Sequence, residues 1–200
     1  MTDLDRLKYD TLLRQLERMR GMQYAYHRKV FTLLMVSTLA AGACLVVSRG
    51  PALVFLCFGL VSTGVSAAFL LHFCDFARIH ARALEERINR LAGEHLLVAA
   101  QLEADYFYPL DGARFSPGVV FSGRFFDMYT AHFCILWALM IGVAGFQIWQ
   151  GVSPRAFALL GGVWSVWTLA NLGFILVWFR GSAARRMAET LRGRLGTPCG

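Results

Sequence analysis

The chain carries 200 residues, of which 56% are hydrophobic and 16% charged, with a mean hydropathy of +0.49 and a net charge of +7. Soluble domains hold roughly 25% charged residues, because polar side chains must meet water over most of the outside. A soluble fold, a disordered chain and a disulfide-stapled secreted module are therefore excluded, and an integral membrane protein remains.

Residues 1–29 contain seven Lys and Arg and four acidic residues but no apolar core of a signal peptide. This segment is expected to be retained as a cytoplasmic amphipathic helix. An uninterrupted apolar run of 19 residues follows from Val30 to Ser48, and a second, of 23 residues, runs from Ala52 to Cys74. Each meets the demand of a hydrocarbon core roughly 30 Å thick, which takes about 20 helical residues. Residues 75–127 are more polar, Met128 to Trp149 and Ala156 to Phe179 supply two further spans, and 180–200 form a basic tail. The predicted fold is all-α: a polytopic membrane protein with four transmembrane helices in two hairpins, 30–74 and 128–179, plus cytoplasmic helical extensions.

Of the 20 basic residues, only Arg49 and Arg155 lie in the two short turns between spans. The positive-inside rule then places both termini and the middle segment in the cytoplasm. The expected location is the inner, or plasma, membrane of a bacterium. All 13 acidic residues share that side. The basic residues are accounted for by topology, so the lipid bilayer is a partner and nucleic acid is not. The two halves also echo each other, with Tyr26-His27 and Tyr129 with His132 ahead of a span, a Gly, Ser, Pro and Arg turn, and an Arg-rich exit. A parallel repeat would produce this likeness, and so would positive-inside sorting with interfacial aromatics.

Beyond the second span, Cys74, Ala77, Ala81, Leu84, Ile88, Leu91, His95, Val98 and Leu102 alternate in steps of three and four. That is a heptad seam, and it predicts that the second helix continues to about residue 105, with Glu85, Glu86, Arg87, Arg90 and Glu94 on its outer faces. Within it, Leu84, Ile88, Leu91, His95, Val98 and Leu102 form the candidate interaction seam, with His95 as a polar core residue that sets pairing specificity. A matching stripe, Tyr9, Leu12, Leu16, Met19, Gln23 and Tyr26, precedes the first span. The two stripes suit an antiparallel coil within one chain or packing between subunits. Residues 105–128 are crowded with Tyr and Phe broken by Pro and Gly, which suits a segment lying at the inner headgroup level.

No Asp, Glu, Lys or Arg lies inside a span, which removes the embedded carboxylate on which a proton-coupled exporter depends. The mid-span Ser, Thr and Asn171 are read as packing residues, with Thr38 and Gly42, Ser62 and Ser66, and Ala138 and Gly142 as small pairs one turn apart, and Gly161-Gly162 as a close-packing point. A pore lined by the same hydroxyls is the alternative. The tripeptide His-Phe-Cys occurs twice, at His72 to Cys74 and His132 to Cys134, at similar predicted depth. His72 and His132 from facing helices would suit the axial positions of a haem iron, and with Asp75 they would suit Zn²⁺ or another transition metal. His and Cys two apart diverge by about 200° on a helix, so neither tripeptide chelates alone. The competing reading is interfacial: a histidine reaching the headgroups, a phenylalanine anchor and a cysteine filling core. A pH-sensitive contact of His72 with Asp75 or Asp127 is a third possibility.

The sequence has no Cys-x-x-Cys, phosphate-binding glycine loop, His-Glu-x-x-His or serine elbow. No catalysis and no cofactor are therefore expected as the leading reading. That reading is an assembling or regulatory membrane module, working through its cytoplasmic helices as a homo-oligomer or with a membrane or cytoplasmic protein partner. An oligomeric channel or membrane-disrupting pore is the alternative, and a haem or metal redox protein using His72 and His132 is a further one.

Overall fold

No proline precedes residue 51, so nothing stops a helix that starts on Asp3 and Asp5, whose charges favour a helix N-terminus. In the computed structural model, α1 accordingly runs unbroken over Asp3–Val47, 45 residues, which is about 68 Å at the α-helical rise. Pro51 falls in a 3-10 turn, Gly50–Ala52. Helix α2 then covers Leu53–Ala92, 40 residues, or about 60 Å. Two shorter helices follow, α3 over Phe125–Gly151 and α4 over Pro154–Arg180. Pro154 takes the first helical position, where its missing N–H costs nothing, and Ser153 Oγ accepts from the Ala156 amide at 3.3 Å to cap the turn.

The structure describes residues 3–48, 50–99, 102, 125–180, 189, 190 and 193. Among the described residues there is no strand, and four helices are long and apolar enough to cross a membrane. The expected aromatic segment up to residue 124 and the arginine side chains of the basic tail lie outside the described residues.

Helix α2 is the centre of the packing. Helix α1 lies antiparallel along it, with Leu16 against Leu84 and Ile88 at one end, Tyr26 stacked on Phe73 in the middle, and Ser37 opposite Thr63 further on. Helix α3 fits against both. Trp137 Nε1 donates to Thr38 Oγ1 at 2.8 Å, and a Cβ on Gly42 or Gly64 would touch Met140 or Trp137 at 3.9 or 3.8 Å. Leu53, Cys57, Ala144 and Ile148 close the α2–α3 contact. Gly151 comes so near Gly50 that a Cβ there would stand 3.1 Å from its Cα, so the two turns between helices meet backbone to backbone.

Helix α4 is packed less. It meets α2 through Phe58 and Trp167, and Phe69 and Phe174, at ring separations of 6.3 and 5.9 Å, and meets α3 through Trp149 and Phe157 at 5.0 Å. No residue from Pro154 to Val177 is buried. The expected close-packing point at Gly161-Gly162 has open space where a Cβ would be, and the Ala138 and Gly142 pair and the Ser62 and Ser66 pair are exposed, so of the three expected small pairs Thr38 and Gly42 serve as a helix contact. The two halves thus differ: α1 and α2 share a continuous interface, whereas α3 and α4 touch near their connecting turn. Lipid tails are as apolar as leucine and drive no closer pairing of α3 with α4.

Candidate functional site: the two-helix stalk

Before Val30 and after Cys74, α1 and α2 leave their apolar stretches and form a stalk of two antiparallel helices. Its core contains the two stripes read from the sequence. Leu16, Ala81, Leu84 and Ile88 are buried, with Tyr9, Leu12, Leu13, Met19 and Leu97 packed around them. Ala77 and Ala81 keep α2 slim, so α1 can approach. The seams therefore close on each other within one chain as far as Ile88.

Glu85 does not lie on an outer face, as the spacing had suggested. Its side chain is 0% exposed and forms an ion pair and hydrogen bond with Arg20 of α1, whose side chain is 34% exposed. A carboxylate so placed loses its water and depends on a cation and on hydrogen bonds in return. Gln23, Arg78 and Asn89 are buried as well, an unusual polar content for a two-helix core.

Helix α2 also ends earlier than the seam implied. Gly93 takes a left-handed conformation, φ 74°, and terminates the helix at Ala92. The chain then folds back: Asn89 Nδ2 donates to the Leu97 carbonyl at 2.7 Å, and Asn89 Oδ1 accepts from the Leu97 amide at 2.9 Å. Leu97 thereby returns to the core, but Leu91, Leu96, Val98 and Leu102 are 47, 55, 42 and 53% exposed, and Leu7 on α1 is 64% exposed. His95 is exposed and not a core residue. Of the candidate interaction seam, Leu84 and Ile88 are consumed within the chain, while Leu91, His95, Val98 and Leu102 stand open at the stalk tip.

At the other end of the stalk, His72 is half-buried beside Phe73, at 6.3 Å between ring centroids. Asp75 accepts from Arg78 at 2.7 Å. His132 is exposed, with its ring edge-on to Phe133 at 5.7 Å. Among the described residues no three His, Cys, Asp or Glu side chains lie close enough to share a metal ion, so His72, Asp75 and His132 form no such group. The Asp127 side chain lies outside the described residues. The structure also draws attention to a histidine that the spacing did not single out. His80 has the edge of Phe76 at 5.8 Å and a buried Nδ1 with no hydrogen-bond partner, and burial lowers its pKa below the ordinary histidine value. Its place beside the seam, one residue before Ala81, was the signal available.

Most of the mid-span hydroxyls described bond their own helices, whereas Ser37 donates to Thr63 Oγ1 across to α2 and Thr168 Oγ1 is buried with no hydrogen-bond partner among the described residues. Thr38, Ser62, Thr63 and Ser66 each donate to the carbonyl four residues back, at 2.8 to 3.0 Å, and the Asn171 amide does the same to Trp167 at 2.8 Å. Side chains bonded in this way satisfy themselves without a partner helix or an aqueous lining. No family model, curated protein or solved structure matches this chain.

Proposed function

We propose that this protein is a non-catalytic membrane module with two transmembrane hairpins and both termini in the cytoplasm, which assembles through the tip of its stalk. One observation carries the reading. Exposed Leu91 stands about 25 Å from Cys74, counted along α2 at its helical rise, and exposed Leu96 and Val98 flank Leu97, which is bonded to Asn89 about 22 Å from Cys74 on the same count; with the span ending at Cys74, lipid does not cover them there. Apolar patches exposed to water mark protein contacts. Below them, the closed core and the unbroken helices α1 and α2 make the stalk a rigid link between tip and bilayer. The first occupant to test is a second copy of the chain, and a cytoplasmic protein partner is the other.

The test is the mass of the protein in lipid nanodiscs. Assemblies larger than the 22.3 kDa chain are expected for the wild type, with dissociation on Leu96→Asp and Val98→Asp together. A strictly monomeric protein that crosslinks to nothing through residues 91–102 overturns the proposal. A haem site at His72 and His132 would instead show as a Soret band lost on substituting both with Ala.

A further inference from the structure

The cations where the stalk meets the apolar stretch are of two kinds. Arg78 pairs with Asp75, Arg82 with Glu86 and Arg20 with Glu85. Arg28 and Lys29, the last residues before the apolar run at Val30, are exposed and meet no carboxylate among the described residues. Lys29 is nonetheless held in place, its Nζ lying 5.1 Å from the centre of the Tyr26 ring, within cation–π range. That ring is stacked on Phe73 of α2 at 5.1 Å and 16°, and Phe73 keeps 45% of its surface exposed. Continuing from Arg28 along the same face of α1, Phe31, Met35 and Leu39 follow at helical spacing, 39, 50 and 69% exposed.

We propose that Arg28 and Lys29 bind the headgroup phosphate of an anionic phospholipid, whose acyl chain lies along Phe31, Met35 and Leu39. The site rests on reading Val30 as the start of a span, but not on which side of the membrane the stalk lies, nor on assembly at the tip. The guanidinium offers a planar pair of donors to phosphate oxygens, and the ammonium adds a point charge. An acidic peptide would satisfy the cations but would leave the apolar stripe uncovered. A diacyl lipid matches both. Phosphatidylcholine carries its own cation and gains less from this pair of charges.

Native mass spectrometry of the detergent-solubilised chain, titrated with phosphatidylglycerol or phosphatidylcholine, tests this. The wild type retains phosphatidylglycerol in preference to phosphatidylcholine. Arg28→Gln with Lys29→Gln weakens that retention about 30-fold, at about 1 kcal/mol for each cation near an anionic surface and 1.4 kcal/mol per tenfold. Arg14→Gln with Arg18→Gln, exposed cations further out on α1, leaves it unchanged, and millimolar inorganic phosphate does not compete. Amide exchange in α1 and α2 that matches the wild type shows that the double variant is folded. If it unfolds, charge-conserving Arg28→Lys with Lys29→Arg must keep lipid retention. The proposal is overturned if the folded Gln variant binds phosphatidylglycerol like the wild type, if both lipids bind equally, if the Arg14 and Arg18 variant loses as much, or if phosphate displaces the lipid.

Discussion

The Arg20–Glu85 pair predicts an order of stabilities that a surface salt bridge would not give. Glu85 is 0% exposed and Arg20 34%. In Arg20→Ala, the buried carboxylate loses the Arg20 cation while staying out of water. Breaking buried pairs in this way costs about 3–5 kcal/mol, and the partial exposure of Arg20 puts this case near the lower bound. In Glu85→Ala the guanidinium left behind is already one-third in water and can turn outward. The loss includes the charge-assisted hydrogen bond to Arg20, about 1.5 kcal/mol. Arg20→Met with Glu85→Leu removes both charges and fills their space, which brings stability back to within about 1 kcal/mol of the wild type. Amide hydrogen exchange of α2 residues 81–88 in nanodiscs reads these differences. At 1.4 kcal/mol per tenfold, exchange should speed up about 100-fold in Arg20→Ala and about tenfold in Glu85→Ala, and stay near wild type in the double variant. Equal effects of the two single variants, or a double variant worse than either, would refute the claim that desolvation of Glu85 governs the pair.

Other consequences follow from the same packing. Leu84→Ala, at a fully buried position, should cost about 3 kcal/mol as a cavity in the stalk core and lower its thermal unfolding midpoint. Asn89→Ala removes both hydrogen bonds to Leu97. It should expose the Leu97 amide to rapid exchange while leaving residues 77–84 protected. Gly93→Ala puts a Cβ at φ 74° and should cost about 1 kcal/mol, read as fraying of the last turn of α2. His80 has its folded pKa lowered by burial from an ordinary value of 6.5. The unfolded chain therefore takes up the proton first, so His80 costs no stability above pH 6.5 and destabilises the stalk as pH falls from there through the folded value. His80→Phe should flatten that part of the pH profile, measured as stalk amide protection.

The apolar runs announced the spans, because a helix in hydrocarbon must satisfy its backbone internally and the length required is fixed by the bilayer. The stripes at Leu16 and at Leu84 and Ile88 were legible for a similar reason, since a period of 3.5 has to be buried somewhere. Their mutual pairing within one chain was the economical reading, but packing between subunits stood beside it, because a seam carries no record of its partner. Glu85 was misplaced because it lies on the flank of the seam, where burial depends on a cation at the right height on another helix. The end of α2 had a visible signal in Gly93, masked by the seam spacing that runs on through His95 and Val98. Within the spans, apolar residues facing lipid and those facing a helix look alike, so neither the exposure of α4 nor the fit of Trp137 against Thr38 was readable.

Photo-crosslinking in intact membranes from Leu84 and from Leu96 tests the division of the stalk most directly. The closed core predicts that a crosslinker at Leu84 joins α1 within the same chain, near Leu16, and that one at Leu96 yields an adduct with a second copy or another protein. Crosslinks between chains from Leu84, or none to any protein from Leu96, would contradict it.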